Sequence, residues 1–164
     1  MKLYTNSELL TLFERHIAQM PTPEGPQRLY APIKYGLEMG GKRIRPTLLM
    51  LAYNLYKEDI ERAIMPAMAV EIFHNFTLLH DDIMDNAEVR RGKPSVYASW
   101  GDNVAILSGD AMLILAYKHL QHTDSDRLSK IFEWFNKMAA EVCEGQQFDM
   151  DFETQQKVSV VDYM

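Results

Sequence analysis

The chain has 164 residues, of which 47% are hydrophobic, enough for one compact domain that needs neither disulfides nor a structural metal to fold. A single cysteine, Cys143, excludes a disulfide framework and a cysteine-rich zinc site, and suits a reducing compartment. Twenty-three acidic against seventeen basic residues leave a net charge of −6, which argues against a nucleic-acid binder.

The first seven residues carry no apolar run of the kind a signal peptide needs. The two most apolar stretches, residues 63–79 and 104–117, are interrupted by Glu71 and His74 and by Asp110, so no transmembrane segment is expected. The reading is of a soluble, cytoplasmic protein.

Helical periodicity runs through nearly the whole chain. Thr5 and Glu8 have capping-box spacing, and Leu9, Leu10, Phe13 and Ile17 follow at helical intervals. Pro21, Pro23, Gly25 and Pro26 break the chain, and a second helix is expected over about 27–39, ended by Gly40-Gly41. Pro46 sits where a first-turn proline opens a helix to about Tyr56, and Pro66 does the same for a long helix to about Asp85. Residues 86–101 read as a loop or a short helical connection. Asp102 can cap a helix to about Leu120, and the cluster Thr123-Asp124-Ser125-Asp126 can cap another to about Asp151. No period-two run is long enough for a strand, although residues 158–161 are β-prone. The fold class expected is all-α, a helical bundle.

The densest chemical signal is His80-Asp81-Asp82-Ile83-Met84-Asp85. On a helix Asp81 and Asp85 share a face one turn apart, with Cβ atoms about 5–6 Å apart. Two carboxylates at that spacing repel by roughly 3 kcal/mol at an effective dielectric near 20. They also fall at the helix end whose dipole disfavours anions. A divalent cation reverses both penalties, and hard oxygen donors suit Mg²⁺ rather than zinc or copper. A solvated acidic turn is the alternative.

Gly40-Gly41-Lys42-Arg43-Ile44-Arg45-Pro46 gathers three cations, Lys42, Arg43 and Arg45, at a glycine pair before a helix start, a combination suited to phosphate. A basic helix cap would explain one cation but not three. Arg90-Arg91-Gly92-Lys93-Pro94 adds a second basic cluster, which on its own reads as an exposed loop. His74 lies two turns before Asp81 on the same side, as a packed core histidine or as a polar group facing a phosphate pocket. Together the clusters suggest a metal-bridged polyphosphate site.

With Glu71-x-x-His74, Ser108-Gly109-Asp110 and Gly145-Gln146-x-x-Asp149, these motifs stand in an order that resembles the trans-isoprenyl diphosphate synthases, the polyprenyl synthetase family. The resemblance implies an isoprenoid-synthase helical fold, a homodimer and a Mg²⁺-dependent prenyltransferase joining isopentenyl diphosphate to an allylic diphosphate. It implies that Asp81 and Asp85 hold Mg²⁺ with Asp82 in support, and that Arg90 contacts the allylic diphosphate. Lys42, Arg45 and His74, joined by Arg91, would bind the isopentenyl diphosphate, with Arg43 in the same cationic cluster. Gln146 and Asp149 would order metal-bound waters, or are an ordinary helix surface. Phe76 and Thr77, five and four residues before Asp81, would set product length, and the compact aspartate motif resembles geranylgeranyl diphosphate synthases most and farnesyl diphosphate synthases next. Phe76 as plain core is the alternative.

Two departures stand out. Tyr97 replaces a histidine frequent in the family, and the second aspartate-rich motif, with the lysine-threonine pair before it, is absent. The expectation is that these residues correspond to the N-terminal part, about half, of a single family domain, and that by themselves they do not elongate a prenyl chain. A non-catalytic subunit of a heteromeric prenyltransferase and a terpene cyclase relative are the other readings.

Overall fold

Thr5 caps the first helix as its spacing predicts. Its hydroxyl accepts from the Glu8 N–H and the Glu8 carboxylate accepts from the Thr5 N–H, satisfying donors the helix start leaves free. The computed structural model describes residues 2–123 and 125–164. It divides into two units, Met1–Asp124 and Ser125–Met164.

The first unit contains α1 (Asn6–Ala18), α2 (Gln27–Glu38), α3 (Ile44–Asn54), α4 (Ile64–Met84), α5 (Val96–Trp100) and α6 (Asp102–Leu120). A 3₁₀ turn at Ile60–Ala63 leads into α4, and a hairpin of β1 (Val89–Arg90) with β2 (Lys93–Pro94) follows it. The second unit contains a 3₁₀ turn, Ser125–Arg127, then α7 (Leu128–Thr154) and α8 (Val160–Tyr163). Among the described residues the fold is all-α apart from that hairpin.

The long helix α4 is the centre of the first unit. It packs along α6 and also meets α1, α2, α3 and α5. Ala67, Met68, Ile72, Phe73 and Leu79 of α4 are buried with Leu9 and Phe13 of α1, Leu37 of α2, Met50 of α3 and Met112 and Ala116 of α6. Small residues let α4 and α6 approach closely. A Cβ placed on Gly109 would overlap the His80 imidazole, whose Nε2 lies 3.1 Å from the Ile106 carbonyl. Gly109 therefore holds the seam just below the aspartate cluster.

Four sequence expectations change. The connection 86–101 includes a short helix, α5, as read, and in addition a hairpin that two-residue strands hide from any periodicity test. Asp102 is the first residue of α6 and not its cap, which is Gly101 at φ 82°. The second-unit helix starts at Leu128 after a 3₁₀ turn and runs to Thr154; of the capping cluster proposed there, Asp124 lies outside the described residues. The β-prone residues 158–161 enter a short helix, because Ser159 and Asp162 form a reciprocal capping box.

Candidate functional site

The carboxylates come from the last turn of α4. Asp81 is half-buried, Asp82 is buried, and Asp85 is the exposed C-cap residue, its N–H bonded to the Asp81 carbonyl at 2.9 Å. The hairpin turns back onto this end. Val89 pairs with Pro94 and Arg90 with Lys93. The two linking residues, Arg91 and Gly92, both have positive φ, 54° and 76°, as a tight two-residue turn of the right twist requires. The turn aims its two arginines differently. Arg90 grips the aspartates, Nε to Asp82 Oδ1 at 2.7 Å and Nη2 to Asp81 Oδ2 at 3.0 Å. Burial raises the Asp82 carboxyl above its usual range, and Arg90 opposes that shift.

Arg91 reaches the glycine pair instead. A Cβ on Gly41 would lie 2.9 Å from Arg91 Cζ, so the guanidinium lies against bare backbone, at a residue whose φ of 140° also calls for glycine. Two motifs fifty residues apart in sequence thus form one surface. Arg45 joins it through His74, with Arg45 Nη1 3.3 Å from His74 Nε2. Because arginine only donates, Nε2 is the acceptor and the imidazole carries its proton on Nδ1. Burial, then Arg45, and further Arg91 and Arg90 push the His74 pKa below its ordinary value, with Glu71 opposing them. A neutral histidine ringed by arginines is a site short of negative charge.

His74 and Asp81 are seven residues apart on α4, a rise of roughly 10 Å on one face. One helix therefore presents a cationic cluster and, two turns on, a carboxylate cluster. Lys42 is exposed between Gly41 and Arg43 on the loop beside the cations.

Arg43 departs from its expected place among the phosphate ligands. It is 3% exposed, and its guanidinium donates from Nε to Glu14 Oε1 at 2.9 Å, from Nη1 to Glu71 Oε1 at 2.7 Å and from Nη2 to the Leu37 carbonyl at 2.6 Å. With its donors engaged inside the bundle, it anchors the loop and offers no face to a ligand. The reading of three like cations missed this because charge and spacing do not reveal burial. The available signal was Glu71, a lone carboxylate in the most apolar stretch, which needs a buried partner.

Phe76 is half-buried, its ring 5.5 Å from Phe73 and 4.8 Å from His80 between ring centroids. Thr77 donates its hydroxyl to the His74 carbonyl at 2.8 Å. Tyr97 is half-buried on α5. Gln146 and Asp149 stand a turn apart on α7 of the second unit, half-buried and exposed respectively.

The donor set at the end of α4 fits a magnesium ion. Mg²⁺ keeps several waters and is held by one or two carboxylates plus substrate phosphates, not by a dedicated protein cage. Asp81 and Asp85 would offer that number of oxygen ligands.

The chain belongs to the polyprenyl synthetase family, whose model matches residues 26–164. It is 42% identical to a geranylgeranyl diphosphate synthase of Methanosarcina mazei over 85% of this chain and 44% of that one. To a short chain isoprenyl diphosphate synthase of Methanocaldococcus jannaschii it is 42% identical over 88% of this chain and 46% of the relative. A crystal structure of a geranylgeranyl pyrophosphate synthase superposes with a TM-score of 0.94 at 47% identity, covering 98% of this chain and 49% of that one. The chain spans about half the length of the relatives it matches. Among the described residues no helix is long and apolar enough to cross a membrane.

Proposed function

We propose that these residues form the substrate half-site of a short-chain prenyltransferase, which condenses isopentenyl diphosphate with an allylic diphosphate to give geranylgeranyl or farnesyl diphosphate. The observation that carries this reading is the pairing of two opposite clusters along one face of α4: carboxylates clasped by Arg90, and arginines around a neutral His74. Two diphosphates, one bridged by metal and one held by cations alone, suit that pairing.

Asp81 and Asp85 would hold Mg²⁺, with Asp82 keeping Arg90 in place beside them. The metal, when bound, neutralises charge that builds on the departing diphosphate. Arg90 adds a guanidinium on the same side, and Lys42, Arg45, His74 and Arg91 hold the isopentenyl diphosphate. The allylic C–O bond breaks and diphosphate leaves. The isopentenyl double bond attacks the resulting carbocation, and a proton passes to the released diphosphate, restoring an allylic product five carbons longer. By the resemblance, Gln146 and Asp149 of the second unit would order metal-bound waters. A homodimer in the cytoplasm completes the reading, the compartment suiting the free, exposed Cys143.

The basic test follows labelled isopentenyl diphosphate into prenyl products in the protein that carries these residues, with Mg²⁺ and with a chelator. Metal-dependent chain elongation supports the proposal, and no incorporation with any allylic partner refutes it.

Arg45→Ala is expected to raise the KM for isopentenyl diphosphate tenfold or more, since a charge-assisted contact is worth roughly 1.5–3 kcal/mol, and to leave the allylic KM nearly unchanged. Equal rises in both would contradict the assignment. The same variant removes one cation that depresses His74, so the imidazole pKa should move up toward its ordinary value in an NMR titration. The sign for stability follows. A histidine held neutral in the fold contributes stability above its unfolded pKa of about 6.5 and loses it as pH falls through the lower folded value.

Phe76→Ala should lengthen the products. The ring lies five residues before Asp81, more than one turn deeper along α4 and edge-on to Phe73 and His80. Removing it leaves a cavity into which a longer prenyl tail can extend. Products resolved by chain length decide this; an unchanged distribution places the pocket floor elsewhere.

A further inference from the structure

The cationic surface depends on a loop whose own anchor is charged. Between Leu37 and Arg43 the backbone passes through Gly40 and Gly41, at φ 78° and 140°, and ends with Arg43 itself in the left-handed region, φ 46° and ψ 37°. A side chain bearing a Cβ disfavours that conformation, so something must hold it there. The three hydrogen bonds of the Arg43 guanidinium do so. They reach back to the carbonyl of Leu37 near the end of α2, across to Glu71 in α4, and out to Glu14 in α1. The bond to Leu37 closes the loop on itself, and the two carboxylates fix the guanidinium plane.

The consequences for the site are direct. Lys42 and Gly41 immediately precede Arg43, and Arg91 lies against Gly41. Arg45 is two residues further on and meets His74, three residues after Glu71. Every group in the cationic surface apart from Arg90 is thus within a few bonds of the Arg43 anchor or in contact with its neighbours. Glu71 is buried and also accepts from Asn75 Nδ2 at 3.1 Å, so it is built into the core. Glu14 is different. Its side chain is 42% exposed, and it reaches the anchor from α1, a helix outside the residues 26–164 matched by the family model.

We propose that Glu14 is a positioning residue for the diphosphate-binding surface, acting through Arg43 to hold the 40–43 loop in its left-handed conformation. It touches no substrate. Without its carboxylate the Arg43 Nε–H loses its partner, the guanidinium plane is no longer fixed on the α1 side, and the loop samples other backbone states. Lys42 and the Arg91–Gly41 contact then lose their shared frame. The inference rests on the reading of Lys42, Arg45, His74 and Arg91 as diphosphate ligands.

The test measures binding of inorganic pyrophosphate by calorimetry in a chelator, so that the metal site does not contribute, in the full protein carrying these residues. The variants are Lys42→Ala, Arg45→Ala, Glu14→Ala and Glu14→Gln. Lys42→Ala and Arg45→Ala are each expected to weaken binding at least tenfold. Glu14→Ala should weaken it three- to tenfold and raise the KM for isopentenyl diphosphate by a similar factor, with kcat and the allylic KM within twofold of wild type. Glu14→Gln keeps the shape and an acceptor for the Nε–H but not the charge, and should fall between, at least twofold weaker than wild type. Should Glu14→Ala not fold, Glu14→Gln decides. Wild-type affinity in the folded Glu14 variants, with binding lost in the Lys42 and Arg45 variants, overturns this inference alone, even if the Glu14 variants melt earlier. Undiminished binding in both Lys42→Ala and Arg45→Ala overturns the reading of the surface and this inference with it.

Discussion

Replacing Asp81 by alanine is expected to lower the rate of chain elongation by about 10²–10³ or more, on the scale of removing one group that stabilises charge in a transition state. Stability should barely change. The substitution removes a partly exposed ion pair with Arg90, worth at most about 1 kcal/mol. It also relieves an unfavourable position at the helix C-terminus, about 0.3–1 kcal/mol, and repulsion from Asp85, which is exposed, so that water screens it to below about 1 kcal/mol. The two nearly cancel. A variant that melts with wild type yet has lost turnover and its response to Mg²⁺ marks Asp81 as a metal-binding group. Full activity with unaltered Mg²⁺ dependence would remove it from the site. Asp81→Asn, which keeps the shape and the Arg90 hydrogen bond, should fail almost as completely, because a neutral amide is a poor ligand for a hard cation.

The second large effect belongs to Arg43 and runs the other way, to stability first. Arg43→Ala leaves the Glu71 carboxylate 2% exposed and without a cation, a loss on the order of 3–5 kcal/mol. Each kcal/mol lowers the melting temperature by about 2–4 °C in a domain of 150–250 residues and by less in a larger one, so the fall should be readily measured. Denaturant unfolding of single and double variants tests the reason. Arg43→Met with Glu71→Met should recover much of what either single change costs, since an apolar pair leaves no buried charge behind. A single Arg43→Ala variant within about 1 kcal/mol of wild type would show that the bonds to Glu14, Glu71 and Leu37 are not the anchor of the loop.

These two residues differ in how far the sequence alone reveals them. Asp81 and Asp85 stand out as candidates because a helix converts a four-residue spacing into one face, and because a cation would offset the cost of like charges at the disfavoured end of a helix. The boundaries of α2 and α4, the glycine pair that ends one helix before the next and the capping box of α1 are likewise local, and the structure places them within a few residues of their expected positions. Local rules failed where local signals competed. Residues 158–161 have β-branched composition, but Ser159 and Asp162 cap a helix turn there. Asp102 has the chemistry of a cap, but Gly101 takes that place with a backbone angle a side chain would resist.

Arg43 and Arg45 are two residues apart in one basic run, and nothing in their chemistry separates them. The order of elements, the helical class and the two charged clusters follow from periodicity and spacing, which act over a turn or two of chain and are therefore written in the sequence itself. Which arginine stays at the surface and which is sealed among helices depends on Glu14 and Glu71, twenty-nine residues before and twenty-eight after Arg43. The same holds for Arg90 and Arg91, neighbours that a two-residue turn sends to the aspartates and to Gly41 respectively. Burial is a property of the packed helices, and the cost of leaving a charge there unpaired is what sorts identical side chains into anchor and site. That sorting exists only once α1, α2 and α4 have closed around the loop.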